Sequence, residues 1–271
     1  MAAKHASYTY DRLAGFLAGL PSISRPVIQR YFRQPVTIHQ KADNSPVTRA
    51  DRETETALRG AIEAGFPDHA IFGEEFGADE DVMTRPTWVI DPIDGTRAFI
   101  SGKPTFGTII GFCAAGQPVA GLIDMPCLAE AYIGVVQGDG QGQASLNGRP
   151  ISVSSVRTLG EAQIATTSPY AFHGAGWAAF ESVGQHCRNV IFGGDCHNYG
   201  LLAAGHLDIV IEHGLQPYDL MGLIPVLQAA GAVVTDWQGQ PITLDNRGEI
   251  IAAATPELHA AALAKLTEKL V

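Results

Sequence analysis

Two aspartates three residues apart carry the strongest chemical signal in this 271-residue chain. Asp91 and Asp94 sit in the string WVIDPIDGTRAF, residues 88–99. Trp88, Val89 and Ile90 read as the buried end of a strand. Pro92 fixes its own φ near about −65° and holds Asp91 in an extended conformation. Gly95 permits a sharp turn, and Thr96 suits the N-cap of a short helix. Carboxylate oxygens for a hard cation and N–H groups at a helix start for an anion therefore meet at one point. A divalent metal and a phosphate group would both be at home there. For an isolated pair of this spacing the simpler reading is a capped turn with solvated acids.

Other acids fall where elements begin or end. Glu74 and Glu75 follow Ile71, Phe72 and Gly73 at the end of a brief strand, where such a pair is ordinarily just solvated. Asp51 follows the polar stretch 36–50 and opens an amphipathic helix over 51–64, which leaves it either a plain N-cap or a site residue. Gly193-Gly194-Asp195-Cys196 puts an acid in a turn between strand and helix, again a cap or a ligand. Glu212 and Asp219 flank the start of a helix over 218–230 whose apolar face is Leu220, Leu223, Ile224, Val226 and Leu227. Pro225 lies inside that pattern and would kink or interrupt it.

The elements that must position these acids are legible in outline. Residues 8–33 read as helix broken near Pro21 and Pro26. A short alternating piece holds Val36 and Ile38. Residues 106–115, 118–124 and 131–136 read as successive strands, with a turn at the glycine-rich 138–142 and a hairpin after 144. Together they imply an antiparallel meander. The glycine-rich turn has neither dinucleotide nor P-loop spacing. After residue 153 strand-like and helix-like pieces alternate: strands near 164–167, 190–192, 207–211 and 232–236, and helices near 174–185, 197–205, 218–230 and 256–270. The expected organisation is an α+β unit over residues 1–152 and an α/β unit over 153–271.

Composition narrows the function. A net charge of −10 argues against a nucleic-acid partner, which needs a basic footprint. With 46% apolar and 17% charged residues the chain has enough apolar material for a large core. No apolar run reaches the length of a membrane span, and residues 1–17 lack the pattern of a signal peptide. Cys113, Cys127, Cys187 and Cys196 form no C-x-x-C pair, so reduced thiols and a cytoplasmic location are expected.

Taken together, G-E-E at 73–75, D-P-I-D-G-T at 91–96 and the aromatic-Asp pair Tyr218-Asp219 with Pro225 and A-A-G-A at 229–232 resemble the inositol-monophosphatase-like phosphatases. The order Lys41, then S-P-V-T-x-A-D at 45–51, adds to the likeness. Tyr218 stands where Trp is usual, and Gly222 where Ala is common. The resemblance implies a layered αβαβα sandwich of the inositol monophosphatase and fructose-1,6-bisphosphatase type. It implies metal ligation by Glu74, Asp91, Asp94, Asp219 and the carbonyl of Ile93, with two or three Mg²⁺ ions. It implies phosphate held at the N–H groups of Gly95 and Thr96, and a water oriented by Glu74 and a Thr96–Asp51 pair. A homodimer and lithium sensitivity belong to the same implication.

The substrate branch is read from D-G-T-Arg97-Ala98-Phe99, from I-D-x-P-x-L-x-E at 123–130 and from G-G-D-C at 193–196. These strings are similar to the histidinol-phosphatase branch, which releases phosphate from L-histidinol phosphate. Asp94, Arg97, Asp195 and Glu212 are then the substrate-binding candidates, the last two acids suiting the ammonium and imidazole of histidinol. An inositol-1-phosphate or broader sugar-phosphate phosphatase is the alternative. A non-catalytic regulator on the same scaffold is a third.

Overall fold

The computed structural model describes residues 9–34, 38–40, 46–137, 142–245 and 248–269. Val36, Lys41 and all but Gly142 of the turn expected at 138–142 lie outside the described residues. The first half runs α1 (Tyr10–Gly19), α2 (Pro21–Tyr31), β1 (Ile38–Gln40), β2 (Pro46–Thr48), α3 (Arg49–Gly65), β3 (Ala70–Gly73), β4 (Gly77–Ala78), β5 (Thr87–Asp94) and α4 (Thr96–Ile100). A meander follows: β6 (Gly107–Ala114), β7 (Gln117–Met125), β8 (Glu130–Val136), β9 (Gly142–Leu146) and β10 (Arg149–Pro150). The second half runs β11 (Gln163–Thr166), α5 (Gly176–Gly184), β12 (Asn189–Phe192), α6 (His197–Ala203), β13 (Ile209–Leu215), α7 (Pro217–Leu220), α8 (Leu223–Ala229), β14 (Val233–Thr235), β15 (Gly248–Ala253) and α9 (Pro256–Thr267).

Among the described residues β1 and β2 pair with each other, and the other strands form an eight-stranded sheet in the order β10-β9-β8-β7-β6-β5-β3-β4 and a five-stranded sheet in the order β12-β11-β13-β15-β14. Period-2 alternation assigns each face. In the first sheet Trp88, Ile90, Ile110, Phe112 and Leu122 pack with Leu13 and Leu17 of α1 and Leu58 and Ile62 of α3. Their neighbours Val89, Ile109 and Ile123 turn the other way, onto Leu202 of α6 and Leu220, Leu223 and Leu227 of α7 and α8. Val210 and Ala252 of the second sheet close that middle layer from the far side. Ile209, Ile211 and Ile251 face outward onto Ala179 and Phe180 of α5 and Leu258 and Ala262 of α9. Helices, sheet, helices, sheet, helices is the expected sandwich.

A row of small residues lets the middle helices sit close. Gly111, Gly121, Gly134 and Ala144 are direct cross-strand partners on β6, β7, β8 and β9. A Cβ on Gly111 would stand 2.5 Å from the Met221 carbonyl carbon, and one on Gly134 would stand 2.5 Å from the Pro225 carbonyl oxygen. At Gly121 the Gly222 carbonyl takes the place of a side chain. Main chain cannot yield as a rotamer can, so this trough fixes the segment that follows Asp219.

The same trough explains a departure from the sequence reading. The helix expected over 218–230 is two, α7 and α8, with Met221 and Gly222 between them. Pro225 is the third residue of α8, where an N–H would have no partner inside the helix. The second break expected near Pro26 does not occur. Pro26 stays inside α2, and both it and Ser22, whose carbonyl its missing N–H leaves without a partner, lie on the exposed face.

Candidate active site

Residues an odd number apart face opposite sides of a regular strand. Asp91 and Asp94 escape this because β5 carries one extra residue against β6: Asp91 pairs with Ile109, but Asp94 with Gly107. The bulge at Pro92 and Ile93 turns the second carboxylate back beside the first. It is pinned at three points. Ile93 N–H donates to Asp91 Oδ1 at 3.0 Å, the buried Thr108 hydroxyl donates to the Pro92 carbonyl at 2.8 Å, and the Thr96 hydroxyl donates to the Ile93 carbonyl at 3.1 Å. Gly95, with φ +81°, caps α4, and Thr96 is its first residue rather than its cap. Trp88, Val89 and Ile90 are fully buried, and about 1.5–3 kcal/mol for each such side chain anchors the strand that holds the acids.

Asp219 arrives from the second half. It is the third residue of α7, not the first, and its Oδ2 accepts the Gln216 N–H at 2.6 Å in a reciprocal capping box. Asp91, Asp94 and Asp219 each bring one carboxylate oxygen within 4.8 Å of the others. The Cys196 N–H donates to Asp94 Oδ2 at 2.6 Å, joining the two halves at the cluster. Burial, then Glu74, Asp94, Asp219 and Asp51 push the Asp91 carboxyl well above its usual range. Burial and Asp219 push Asp94 up to about 7, against the pull of the Cys196 N–H. Converging oxygens that repel one another fit a hard divalent cation, which would supply the missing positive charge.

Glu74 and Asp51 are close enough for their charges to be felt at Asp91. Glu74 extends the pairing of β3 with β5, its N–H donating to the Ile90 carbonyl at 3.1 Å. Asp51 lies inside the first turn of α3 and is buried, so it is not the N-cap. One turn on, buried Glu55 was not singled out in the sequence. It accepts the Glu75 N–H at 2.7 Å and Arg59 Nε–H at 2.8 Å, and packs where Gly73 would carry a side chain. Glu55 thus sets the G-E-E turn.

A cavity of about 130 Å³ opens beside the cluster, lined by Asp94, Asp219, Asp195, Glu212, Thr167 and Tyr199 among others. Asp195, with φ +47°, lies over Gly95 so closely that a Cβ there would stand 2.8 Å from the Asp195 carboxyl carbon. Burial and Asp94 raise its pKa to about 7, while Lys103 and Arg97 pull it down. Arg97 is exposed and reaches the site through that charge, not as part of the cavity lining. Glu212 Oε1 accepts both the Thr167 N–H at 2.9 Å and its hydroxyl at 2.6 Å. Burial still raises Glu212 to about 8. Thr167 and Tyr199 carry no recognisable sequence signal. Asp124 and Glu130, both in the strings read for the substrate branch, are engaged elsewhere. Asp124 holds Arg25 of α2 at 2.6 Å, and Glu130 meets the Tyr132 hydroxyl at 2.7 Å and His197 at 3.2 Å.

With this geometry in view, the sequence matches the Inositol monophosphatase family over residues 10–271. It is 40% identical over 264 residues to the bifunctional phosphatase IMPL2, chloroplastic, of Arabidopsis thaliana, covering 94% of this chain and 75% of that protein. It is 33% identical over 224 residues to a histidinol-phosphatase of Chlorobaculum parvum, covering 82% and 85%. A solved inositol monophosphatase from Zymomonas mobilis superimposes with a TM-score of 0.85 at 40% identity, over 96% of this chain and all of that one. Fold, acidic cluster and sequence agree, and the chain belongs to the inositol monophosphatase family of phosphatases.

Proposed function

We propose that the chain is a Mg²⁺-dependent phosphomonoesterase that hydrolyses L-histidinol phosphate to L-histidinol and phosphate, a step of histidine biosynthesis. The observation that carries this reading is the pair of acids Asp195 and Glu212 in the cavity that adjoins Asp94 and Asp219. Two carboxylates suit an alcohol bearing an ammonium and an imidazole better than a neutral polyol. The likeness to a histidinol-phosphatase supports it.

Glu74, Asp91, Asp94, Asp219 and the Ile93 carbonyl would hold the cations. When bound, Mg²⁺ supplies charge neutralisation of the phosphate and a more acidic water. The chain does the rest. The N–H groups of Gly95 and Thr96 at the start of α4 receive phosphate oxygens. Glu74 takes a proton from the attacking water, and Thr96 Oγ1, whose own proton goes to the Ile93 carbonyl at 3.1 Å rather than to Asp51 as the resemblance implied, accepts the water's other hydrogen and holds it in line. Asp195 and Glu212 fix the alcohol half.

Phosphate release from L-histidinol phosphate and from inositol 1-phosphate, side by side with Mg²⁺, tests the reading. A preference of at least about tenfold for histidinol phosphate is expected. A reversed preference would leave the acidic site standing and transfer the assignment to the inositol branch, which the likeness to an inositol monophosphatase favours. Release from neither would move weight to another ester or to a regulator, a role for which the full set of acids would not be needed. The proposal includes a cytoplasmic location, lithium inhibition and a homodimer. Among the described residues no helix is long and apolar enough to cross a membrane. The edge strand β12 exposes Val190, Ile191 and Phe192, a surface that a second copy would cover, and a sedimentation mass of a single chain would remove the dimer.

A further inference from the structure

Tyr199 stands out among the buried side chains. Its residue is 1% exposed, and its ring packs in the middle core layer. Its hydroxyl is sealed from the surface and has no hydrogen-bond partner among the described residues. The same side chain lines the cavity shared by Asp94, Asp195, Glu212 and Asp219. A phenylalanine would fill the same space with nothing left unsatisfied, and a buried hydroxyl without a partner costs free energy. Because the side chain borders the cavity, an acceptor that fills the cavity would supply that partner.

The neighbouring groups define that partner. Glu212 Oε1 is already taken by Thr167, and the carboxylate is an acceptor for a donor arriving from the cavity. His213 Nδ1 is buried and also lacks a partner among the described residues. Its Nε2 lies 3.9 Å from Glu249. His213 is held in that orientation by ring contacts with Phe172 and Trp237, at centroid distances of 6.2 and 5.3 Å. The cavity wall thus offers an acceptor at Glu212, a ring nitrogen at His213 and, at Tyr199, a hydroxyl able to donate.

We propose that Tyr199 is a specificity residue whose hydroxyl donates a hydrogen bond to an acceptor atom on the alcohol half of the substrate. The ligand class is a phosphomonoester whose alcohol carries both an acceptor and a donor, such as a neutral azole ring or a vicinal polyol. The inference rests on the phosphatase reading and on the cavity holding the alcohol half, and it does not require histidinol to be that alcohol. Glu212 takes the donor of the same group.

The test is Tyr199→Phe in the full chain with Mg²⁺. Both kcat and KM are measured on L-histidinol phosphate, inositol 1-phosphate and 4-nitrophenyl phosphate, together with the melting temperature without substrate. The better of the two polar esters should show KM raised about tenfold with kcat changed less than about threefold, the size of one neutral hydrogen bond. The ratio of kcat/KM for that ester to that for the aryl ester should fall about tenfold. The melting temperature should hold or rise, because the variant removes an unsatisfied group. Equal losses on polar and aryl esters, no change on any ester, or a lowered melting temperature with parallel losses would each overturn the proposal, the second by assigning the hydroxyl a trapped water. A KM effect seen with inositol phosphate and not histidinol phosphate would sink the histidinol reading and leave Tyr199 in its role.

Discussion

Asp94→Asn lowers turnover by a factor of about 10³ or more, while the protein still folds. The size follows from the place of the charge. Asp94 is one of three carboxylates whose oxygens lie within 4.8 Å of each other, and a cation held there must be balanced by their sum. Loss of one negative ligand from a buried site weakens both the cation and the charge stabilisation of the reacting phosphate. The fold survives because an asparagine Oδ1 can accept the Cys196 N–H as Asp94 Oδ2 does now, at 2.6 Å. A second readout has the opposite sign. Burial and Asp219 raise the Asp94 pKa to about 7, above its unfolded value. Its contribution to stability is therefore fully present in acid and lost as pH rises through about 7 in the cation-free protein. In chelator at pH 8 the asparagine variant should melt higher than the parent by about a few degrees. Activity above about a tenth of the parent would sink the site assignment. A melting temperature below the parent's in chelator would show that Asp94 braces the fold rather than straining it.

How far the site could be read from sequence depended on whether its causes were local. β5, its two acids and the glycine after them were legible because strand, proline and turn chemistry all act within a few residues. The αβαβα sandwich was legible from the resemblance, and the meander of β6 to β8 from successive strand-like runs joined by tight turns. The place of Asp51 follows from the whole of α3 rather than from its first residues. Ala50, Asp51, Thr54, Glu55, Leu58 and Ile62 form the buried face of that helix, so both acids occupy apolar-face positions. That pattern was a signal that each had a partner, and it would have found Glu55 as well. The long-range partnerships had no such signal. The Cys196 N–H on Asp94, Asp195 over Gly95 and Thr167 on Glu212 join residues 45 to 102 positions apart through main chain or through small polar groups common anywhere. The division of 218–230 into α7 and α8 likewise depends on a glycine row three strands wide, visible only once the strands are in register. β15 went unread because its glycine- and alanine-containing run lacks the aromatic and β-branched weight of the other strands.

Asp195→Ala is the variant that most sharply separates substrate recognition from chemistry. Asp195 reaches the site from the turn before α6 and lies against Gly95, beside the acidic cluster but outside the three carboxylates that converge. A cationic group on the alcohol half would make a charge-assisted hydrogen bond with it in a largely buried setting, roughly twice as strong as a neutral bond. KM for L-histidinol phosphate should therefore rise about thirty- to hundredfold, with kcat reduced only a few-fold. The aryl group of 4-nitrophenyl phosphate is uncharged and offers no cation for Asp195 to meet. Removal of the charge also relieves repulsion at Asp94, whose charge raises the Asp195 pKa. The aryl ester should thus lose less than about threefold in kcat/KM and could gain. Inositol 1-phosphate, which offers hydroxyls in place of an ammonium, should fall between the two. If histidinol phosphate and the aryl ester lose equally, Asp195 supports the loop over Gly95 and not the substrate, and the cationic-alcohol reading fails with it. If only inositol phosphate suffers, the acid serves as a hydroxyl acceptor and the branch is reversed. Either result leaves the cluster of Asp91, Asp94 and Asp219 intact as the reacting end, because the position of Asp219 is set by α7 and the glycine trough rather than by the turn that carries Asp195.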